Sequence, residues 1–171
     1  ASPLVQKYAG ALAVMASGIT GGAQIRYQGT VGGSACYGSP SSDAPGALVG
    51  LDAKLCLRSA SGSREVNALD FFKGAFQIDL KTDEVLEAIK LPAPPEKARF
   101  GHYKLKLVES SWPIATATCV IGLGEGSSIV SARLAVGGVN TVPYLVDVSS
   151  LVGSPLDEAA AASVVEAARF G

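Results

Sequence analysis

Three consecutive stretches of alternating apolar and polar residues constrain how the second half of this chain can fold. They are FGHYKLKLV at 100–108, ATATCVIGLG at 115–124 and SIVSARLAVGG at 128–138. Alternation with a period of two predicts strands that have one buried face. EGSS at 125–128 is typical of a hairpin turn. Since strands joined by short connections run antiparallel, the sequence predicts a three-stranded antiparallel sheet.

Helical patterns occur on both sides of this predicted sheet. Apolar residues recur at helical spacing over residues 3–17, which predicts an N-terminal helix. Residues 69–76 predict a short helix, and the Ala-rich segment 156–170 predicts a C-terminal one. The inward-facing residues of the short helix are expected to be Leu69, Phe72 and Phe76.

The first half of the chain mixes strand and turn signals. Residues 25–34 indicate a short strand that runs into a glycine turn, and residues 39–46 indicate a loop. AKLCLRS at 53–59 and REVNA at 64–68 predict a hairpin, and VLEAIKLP at 85–92 predicts a further strand. This order of elements predicts an α+β fold with an antiparallel sheet, and it disfavours a doubly wound parallel sheet.

Composition excludes several classes of protein. The chain is 48% hydrophobic and 17% charged, as expected of a packed globular protein, and its net charge of -1 argues against a nucleic-acid interface. No apolar run reaches the roughly 20 residues of a membrane span. The three cysteines and one histidine are too few for an iron–sulfur cluster, a metal site or a catalytic triad. Three buried thiols in a reducing, cytoplasmic compartment are the simplest expectation.

The segment IRYQGTVGGS at 25–34 has the clearest chemical signal. Gly32 and Gly33 have no Cβ, so we expect positive φ values there and consecutive N–H groups that point into one concavity. Such a concavity favours phosphate oxygens, and the hydroxyls of Thr30 and Ser34 lie on either side. Asp43 is an acceptor suited to sugar hydroxyls. A pair of glycines by itself is more often an ordinary tight turn, and the segment matches neither GxGxxG nor a P-loop.

Several segments, taken together and in order, resemble one family. IRYQGTVGGS resembles the IRN-x-GT-I-GG-S/N segment of the FAD-binding subunits of molybdenum hydroxylases, the carbon monoxide dehydrogenase and xanthine dehydrogenase type. SPSSDAP at 39–45, the run ALVGLDAKLCLRSASGSREVNALDFFKGAFQIDLKTDEVLEAIKLP, YKLKLVESSWPIATATCVI and ARLAVGGVNTVP are similar to later segments of that family. The resemblance covers about residues 20–145.

The resemblance implies a set of cofactor-binding residues. Thr30, Val31, Gly32, Gly33 and Ser34 would contact the FAD phosphates and nearby ribityl atoms. Ser39 and Asp43 would hydrogen-bond the ribityl chain or lie near the flavin, and Lys104 or Lys106 would lie near the flavin ring. The family places no substrate-hydroxylating residue and no metal ligand in this subunit.

The resemblance also implies a domain organisation. Residues 1–68 would form a partial FAD-binding subdomain with the second glycine loop, and residues 69–171 a C-terminal α+β domain whose sheet packs on helices. The family's first glycine loop and its C-terminal tail have no counterpart here. We therefore expect either a fragment or a separate chain that supplies the missing N-terminal FAD lobe.

The implied function is electron transfer. In this family electrons leave a molybdenum cofactor in a large subunit, cross two [2Fe–2S] clusters in a small subunit and reach FAD, which passes them to an external acceptor. Two alternatives remain open. One is another flavin oxidoreductase with the same type of FAD domain, such as an enolpyruvyl reductase, and the other is a cofactor-free scaffold that binds partner subunits.

Overall fold

The computed structural model describes residues 2–169, with side chains to residue 166, and shows seven α-helices and nine strands in that range. The helices are α1 (Pro3–Tyr8), α2 (Gly10–Ser17), α3 (Gly22–Gln28), α4 (Val31–Tyr37), α5 (Asp43–Gly50), α6 (Ala68–Phe71) and α7 (Glu158–Arg169). The strands are β1 (Lys54–Ser59), β2 (Gly62–Asn67), β3 (Phe72–Gly74), β4 (Gln77–Ile78), β5 (Val85–Lys90), β6 (Ala98–Lys106), β7 (Pro113–Leu123), β8 (Ile129–Gly137) and β9 (Tyr144–Val146). The α+β class is confirmed. None of the helices in the described part of the chain is long and apolar enough to cross a membrane.

The predicted N-terminal helix is two helices. Ala9 interrupts it with φ -143° and ψ 56°. A Cβ on Gly10 would lie 3.0 Å from Cδ2 of Phe100 on β6, so the glycine lets α2 approach the sheet closely. The interruption therefore redirects the chain so that α2 packs on β6 and α5. The spacing of apolar residues alone could not predict this break.

The strand expected over residues 25–34 is wrong. These residues belong to α3 and α4, with Gly29 and Thr30 in extended conformation between them. Gln24, Arg26 and Gln28 are good helix formers, and the apparent alternation in α3 does not mark burial, because none of its residues is buried.

The loop expected over residues 39–46 ends earlier than predicted. Helix α5 begins at Asp43, with Pro45 in its first turn, where a missing N–H costs nothing. Every residue of α5 is buried. This helix is therefore the centre of the molecule rather than part of a surface loop.

The first sheet has the strand order β2-β1-β5, and all pairs are antiparallel. The predicted hairpin of β1 and β2 is present. Strand β5 pairs with the other edge of β1, with Leu55 opposite Ile89. The sheet thus extends beyond the proposed boundary at residue 68, and that boundary stays a prediction.

The helix predicted over residues 69–76 is only one turn long. After α6 the chain forms the small hairpin of β3 and β4. Phe72 is buried as expected, but Leu69 and Phe76 are exposed, and Phe71 occupies the core instead. The helix ends at Phe71 because Phe72 is already extended, with φ -86° and ψ 116°. Phe76 has φ +58° in the turn between β3 and β4.

The second sheet has four strands in the order β6-β7-β8-β9, one more than predicted. The three expected strands are present in the expected order, and β9 adds a short edge of three residues beside Leu134–Val136. Pro143 precedes β9 directly, so the proline lies outside the strand, as its missing N–H requires.

The two faces of this sheet pack differently. Thr116 and Thr118 of β7 face helix α5, and both are buried. The opposite face carries a cluster centred on Ile129, Leu134 and Val146, against which residues of α7 pack. The other large core lies around α5, β1 and Phe71. Helix α5 is thus held between the two sheets.

Candidate functional site

The glycine segment forms the first turn of α4. Thr30 is the N-cap residue, and its Oγ1 accepts a hydrogen bond from Gly33 N–H at 2.9 Å. Ser34 N–H donates to the Thr30 carbonyl at 3.0 Å. The N–H groups of Val31 and Gly32 come too early in the helix to have an intrahelical acceptor. The amides of Gly33 and Ser34 are therefore hydrogen-bonded to Thr30, and the amides of Val31 and Gly32 have no acceptor within the helix.

The positive φ values expected at Gly32 and Gly33 are wrong, because both residues lie inside α4 and neither has a positive φ. The two glycines differ in their surroundings. A Cβ on Gly32 would meet only Leu86 Cδ2, at 3.7 Å, whereas a Cβ on Gly33 would lie 2.9 Å from Thr30 Oγ1. Gly33 leaves room for the cap hydroxyl, and Gly32 leaves its own amide open to approach.

A serine contact joins α4 to the start of α5. The hydroxyls of Ser34 and Ser42 lie 2.7 Å apart and share a hydrogen bond. Ser42 immediately precedes Asp43, and the predicted site residue Ser39 is buried in the connecting turn. The fold thus brings the glycine segment and the serine-rich segment together.

Asp43 and Lys104 form a buried ion pair. Lys104 Nζ lies 2.7 Å from Asp43 Oδ2, and each side chain is 9% exposed. The same ammonium donates to the Gly18 carbonyl at 3.1 Å, in the turn after α2. Removing two charges from water is tolerable only when they are paired and hydrogen-bonded, as they are here.

Of the two predicted lysines, Lys104 contacts Asp43 and Lys106 does not. Lys106 Nζ donates to the Glu109 carbonyl at 2.7 Å, at the β6–β7 connection. The two lysines share one face of β6, as expected, but Lys104 lies nearer to α5. The structure thus distinguishes two residues that the sequence could not separate.

His102 lies on the same face of β6 and was not expected at the site. Its side chain is 4% exposed, and its Nδ1 lies 2.9 Å from Thr118 Oγ1 on the facing strand. Nε2 faces Asp43 Oδ1 at 3.9 Å. His102 Nε2 and Asp43 Oδ1 are buried, and each lacks a hydrogen-bond partner. The sequence could have shown only that His102, two residues from Lys104, lies on the same face of the strand. Nothing else in the sequence distinguishes this single histidine as a site residue.

Close backbone packing positions Asp43. A Cβ on Gly46 would lie 2.9 Å from Thr116 Oγ1, and a Cβ on Gly50 would lie 2.8 Å from Thr118 Cβ. The two glycines are four residues apart, so they share one face of α5. That face lies directly on β7, and the N-terminal end of the helix is therefore fixed relative to β6.

The arrangement is suited to a polar, phosphorylated ligand rather than to a metal. Near the N-terminal ends of α4 and α5 it collects hydroxyls, two amides without an intrahelical acceptor, one carboxylate and one ammonium. Among the described residues no group of three His, Cys, Asp or Glu side chains could hold a metal ion. Hydroxyls and amides donate to phosphate oxygens, which is the chemistry that an FAD diphosphate needs.

The sequence family agrees with this chemistry. Residues 1–94 match the family described as the FAD binding domain in molybdopterin dehydrogenase, so the chain belongs to that family. The matched region contains the glycine segment, Ser39 and Asp43, whereas Lys104 and Lys106 lie beyond it. It begins 24 residues before Ile25, the first residue of the glycine segment.

Two curated relatives place the family more narrowly. The carbon monoxide dehydrogenase medium chain of Afipia carboxidovorans is 34% identical over 139 residues, which are 80% of this chain and 48% of the relative. The glyceraldehyde dehydrogenase medium chain of Sulfolobus acidocaldarius is 38% identical over 128 residues, 72% of this chain and 43% of the relative. The chain therefore spans about half the length of these relatives, which are oxidoreductase subunits.

Solved structures share the fold over nearly the whole chain. A carbon monoxide dehydrogenase from Hydrogenophaga pseudoflava superposes with a TM-score of 0.89 at 28% identity and covers 97% of this chain and 58% of that one. Quinoline 2-oxidoreductase from Pseudomonas putida 86 gives a TM-score of 0.87 at 28% identity over 100% of this chain and 59% of that one. The family expected from the motifs is confirmed.

Proposed function

We propose that this chain holds FAD as part of the electron-transfer subunit of a molybdenum hydroxylase, where electrons arrive from iron–sulfur clusters and leave to an external acceptor. The observation that carries the proposal is the family match over residues 1–94, which includes the glycine segment and Asp43. Bound FAD would supply the redox chemistry. The residues of this chain would position the cofactor and set its surroundings.

Thr30, Val31, Gly32, Gly33 and Ser34 are the proposed diphosphate contacts. Two observations support them: the amides of Val31 and Gly32 have no intrahelical acceptor, and among the described residues the only atom that an added Cβ on Gly32 would meet is Leu86 Cδ2, at 3.7 Å. Ser39, Asp43 and Lys104 are the proposed ribityl and flavin contacts, with Lys106 further along the same strand face.

The relatives also support a multi-subunit assembly. Their names describe medium chains, and another relative, from Eubacterium barkeri, is a nicotinate dehydrogenase FAD-subunit. We therefore propose three partners: a molybdenum-binding large subunit, a [2Fe–2S] small subunit, and a separate chain that supplies the N-terminal FAD lobe. Three free thiols, Cys36, Cys56 and Cys119, support a cytoplasmic location.

A cofactor-free scaffold is the second candidate. The observation that favours it is internal pairing: Asp43 is already bound by Lys104, and the Gly33 amide is already bound by Thr30. In that case the polar cluster would be purely structural. FAD binding separates the two candidates.

The test is FAD retention by the purified chain, alone and together with its candidate partner chains. We expect the visible flavin absorption band to co-elute with the wild-type protein. Gly32→Val should remove the band, because a branched side chain would cover the amide, while far-UV circular dichroism stays unchanged because the site has room for the substitution. Val130→Ala, an exposed position on β8, is the control. Protein without flavin in every combination would support the scaffold.

A further inference from the structure

We propose that His102 is a positioning residue of the flavin site, which acts through Asp43. In this arrangement the neutral imidazole accepts a hydrogen bond at Nδ1 from the Thr118 hydroxyl and carries its proton on Nε2, directed at Asp43 Oδ1. The inference rests on the proposed function for its link to FAD, and on geometry alone for the hydrogen-bond arrangement.

The two unpartnered atoms are the first argument. Asp43 Oδ1 and His102 Nε2 are both buried without a hydrogen-bond partner, and they face each other at 3.9 Å. A movement of about 1 Å by either side chain brings them to normal hydrogen-bond distance. Since unpaired polar atoms are costly to bury, each is the partner that the other lacks.

The tautomer follows from the acceptor that faces Nε2. A carboxylate oxygen can only accept, so a bare Nε2 would place two lone pairs opposite each other. The proton must then be on Nε2, and in a ring that carries one proton Nδ1 accepts from Thr118 Oγ1, at 2.9 Å. Lys104 already supplies one cation for the one carboxylate, so a neutral imidazole leaves the cluster balanced.

Rigid packing gives the arrangement its positioning role. Thr118 is fully buried and lies directly opposite His102 in the β6–β7 ladder. Its Cβ and Cγ2 pack against Gly50 of α5, where even a methyl group would come within 2.8 Å. The hydroxyl is therefore fixed, and it fixes the imidazole. The imidazole in turn holds the second oxygen of Asp43, while Lys104 holds the first.

The chain contains a single histidine, so the hydrogen-bond arrangement can be tested without FAD. In protein labelled with 15N-histidine, long-range 1H–15N correlation near neutral pH should show one imidazole with the proton on Nε2. Thr118→Val keeps the side-chain shape and removes the hydroxyl, and it should produce a mixture of tautomers. A wild-type spectrum with the proton on Nδ1 would overturn the arrangement.

The positioning role is tested by FAD affinity and by the flavin midpoint potential. His102→Phe should weaken FAD binding about tenfold and shift the potential, because Asp43 loses its second donor. His102→Gln can place an amide N–H near the same point and should recover most of the loss. Tyr103→Phe, the exposed neighbour on the other face of β6, is the control.

The outcomes separate this inference from the proposed function. Unchanged affinity and potential in a folded His102→Phe protein would overturn the positioning role while leaving FAD binding intact. Failure of the wild-type protein to bind FAD, both alone and together with its candidate partner chains, would overturn the proposed function and the flavin link with it. The tautomer measurement would still decide the hydrogen bond between His102 and Asp43.

Discussion

Arg64 binds two carboxylates at once and ties β2 to the segment before β5. Its Nε and Nη2 donate to the two oxygens of Glu84 at 2.7 and 2.8 Å, and Nη1 donates to Asp79 Oδ2 at 3.0 Å. Bidentate pairing of this kind is stronger than a single contact. Hydrogen bonds from Arg64 and from the Lys81 amide lower the pKa of Glu84 to about 2, and Arg64 also lowers the pKa of Asp79.

These shifts predict how stability depends on pH. A carboxylate with a lowered folded-state pKa stabilises the fold above its unfolded pKa, about 4.3 for Glu, and the contribution is lost as pH falls. Unfolding free energy should therefore decrease between pH about 4.3 and about 2 because of Glu84.

Urea titrations across that pH range check the prediction. In Arg64→Met the unfolding free energy should depend less on pH across this range. The control is Arg58→Met, which removes a more exposed pair with Glu87 on the neighbouring strand and should leave the slope unchanged. Equal slopes in wild type and Arg64→Met would contradict the assignment.

At the residue scale, the sequence predicted Thr30, Ser34, Asp43 and Lys104 as cofactor contacts. The structure joins Ser34 to Ser42, the residue before Asp43, and joins Asp43 to Lys104. The sequence missed His102, because one histidine on an alternating strand looks the same whether it is buried beside a carboxylate or satisfied elsewhere. It also predicted the wrong backbone conformation for Gly32 and Gly33, which lie in a helix and do not have positive φ. Backbone φ depends on whether the segment continues as a helix, and the motif does not encode that.

Helix α5 decides the geometry at the element scale. Its glycine face lies against β7, with Gly46 beside Thr116 and Gly50 beside Thr118. Close approach of this kind is available only to residues without a Cβ. The distance between the two elements is set by backbone contact, and any added methyl group must be accommodated by separation of helix and sheet.

Gly50→Ala should therefore destabilise the protein by about 1–3 kcal/mol, the usual cost of overpacking a core. The added Cβ would lie 2.8 Å from Thr118 Cβ and 3.0 Å from its carbonyl oxygen. Chemical denaturation gives the free energy of unfolding. Gly101→Ala on β6, where an added Cβ meets nothing within 4 Å, is the control and should be close to neutral. A neutral Gly50→Ala would show that the helix can move away from the sheet.

Elements with a repeating pattern were predicted well, and elements fixed by tertiary contacts were not. The β1–β2 hairpin and strands β6, β7 and β8 follow from the apolar–polar alternation of their sequences and from the turn signals between them. Helix α5 has no polar face, so it carries no periodicity to detect. Strand β9 is three residues long and exists only because β8 offers it an edge.

At the scale of the whole molecule, the two sheets share α5. Leu48 and Val49 of this helix pack in the same core as Ala135 of β8, and Arg133 Nε donates to the Val49 carbonyl at 3.0 Å. The proposed division into residues 1–68 and 69–171 therefore separates segments whose cores are continuous. Each part would expose apolar surface if it stood alone.

Residues 1–94 expressed alone should bind a hydrophobic dye and lose near-UV circular dichroism, because the α5 face that packs on β7 and β8 is uncovered. Adding residues 95–171 should reduce dye binding and restore the near-UV signal. The intact chain provides the reference for both measurements. A fragment of residues 1–94 with a native near-UV spectrum and no dye binding would contradict the shared core.

The glycine face of α5 has a consequence for protein engineering. Where two elements touch through their main chains, no rotamer change can lengthen or shorten the gap. Changing the separation of the backbones that carry Asp43 and Lys104 would need a new sheet curvature, so single replacements nearby will alter the chemistry of this pair before they alter the distance between its two elements.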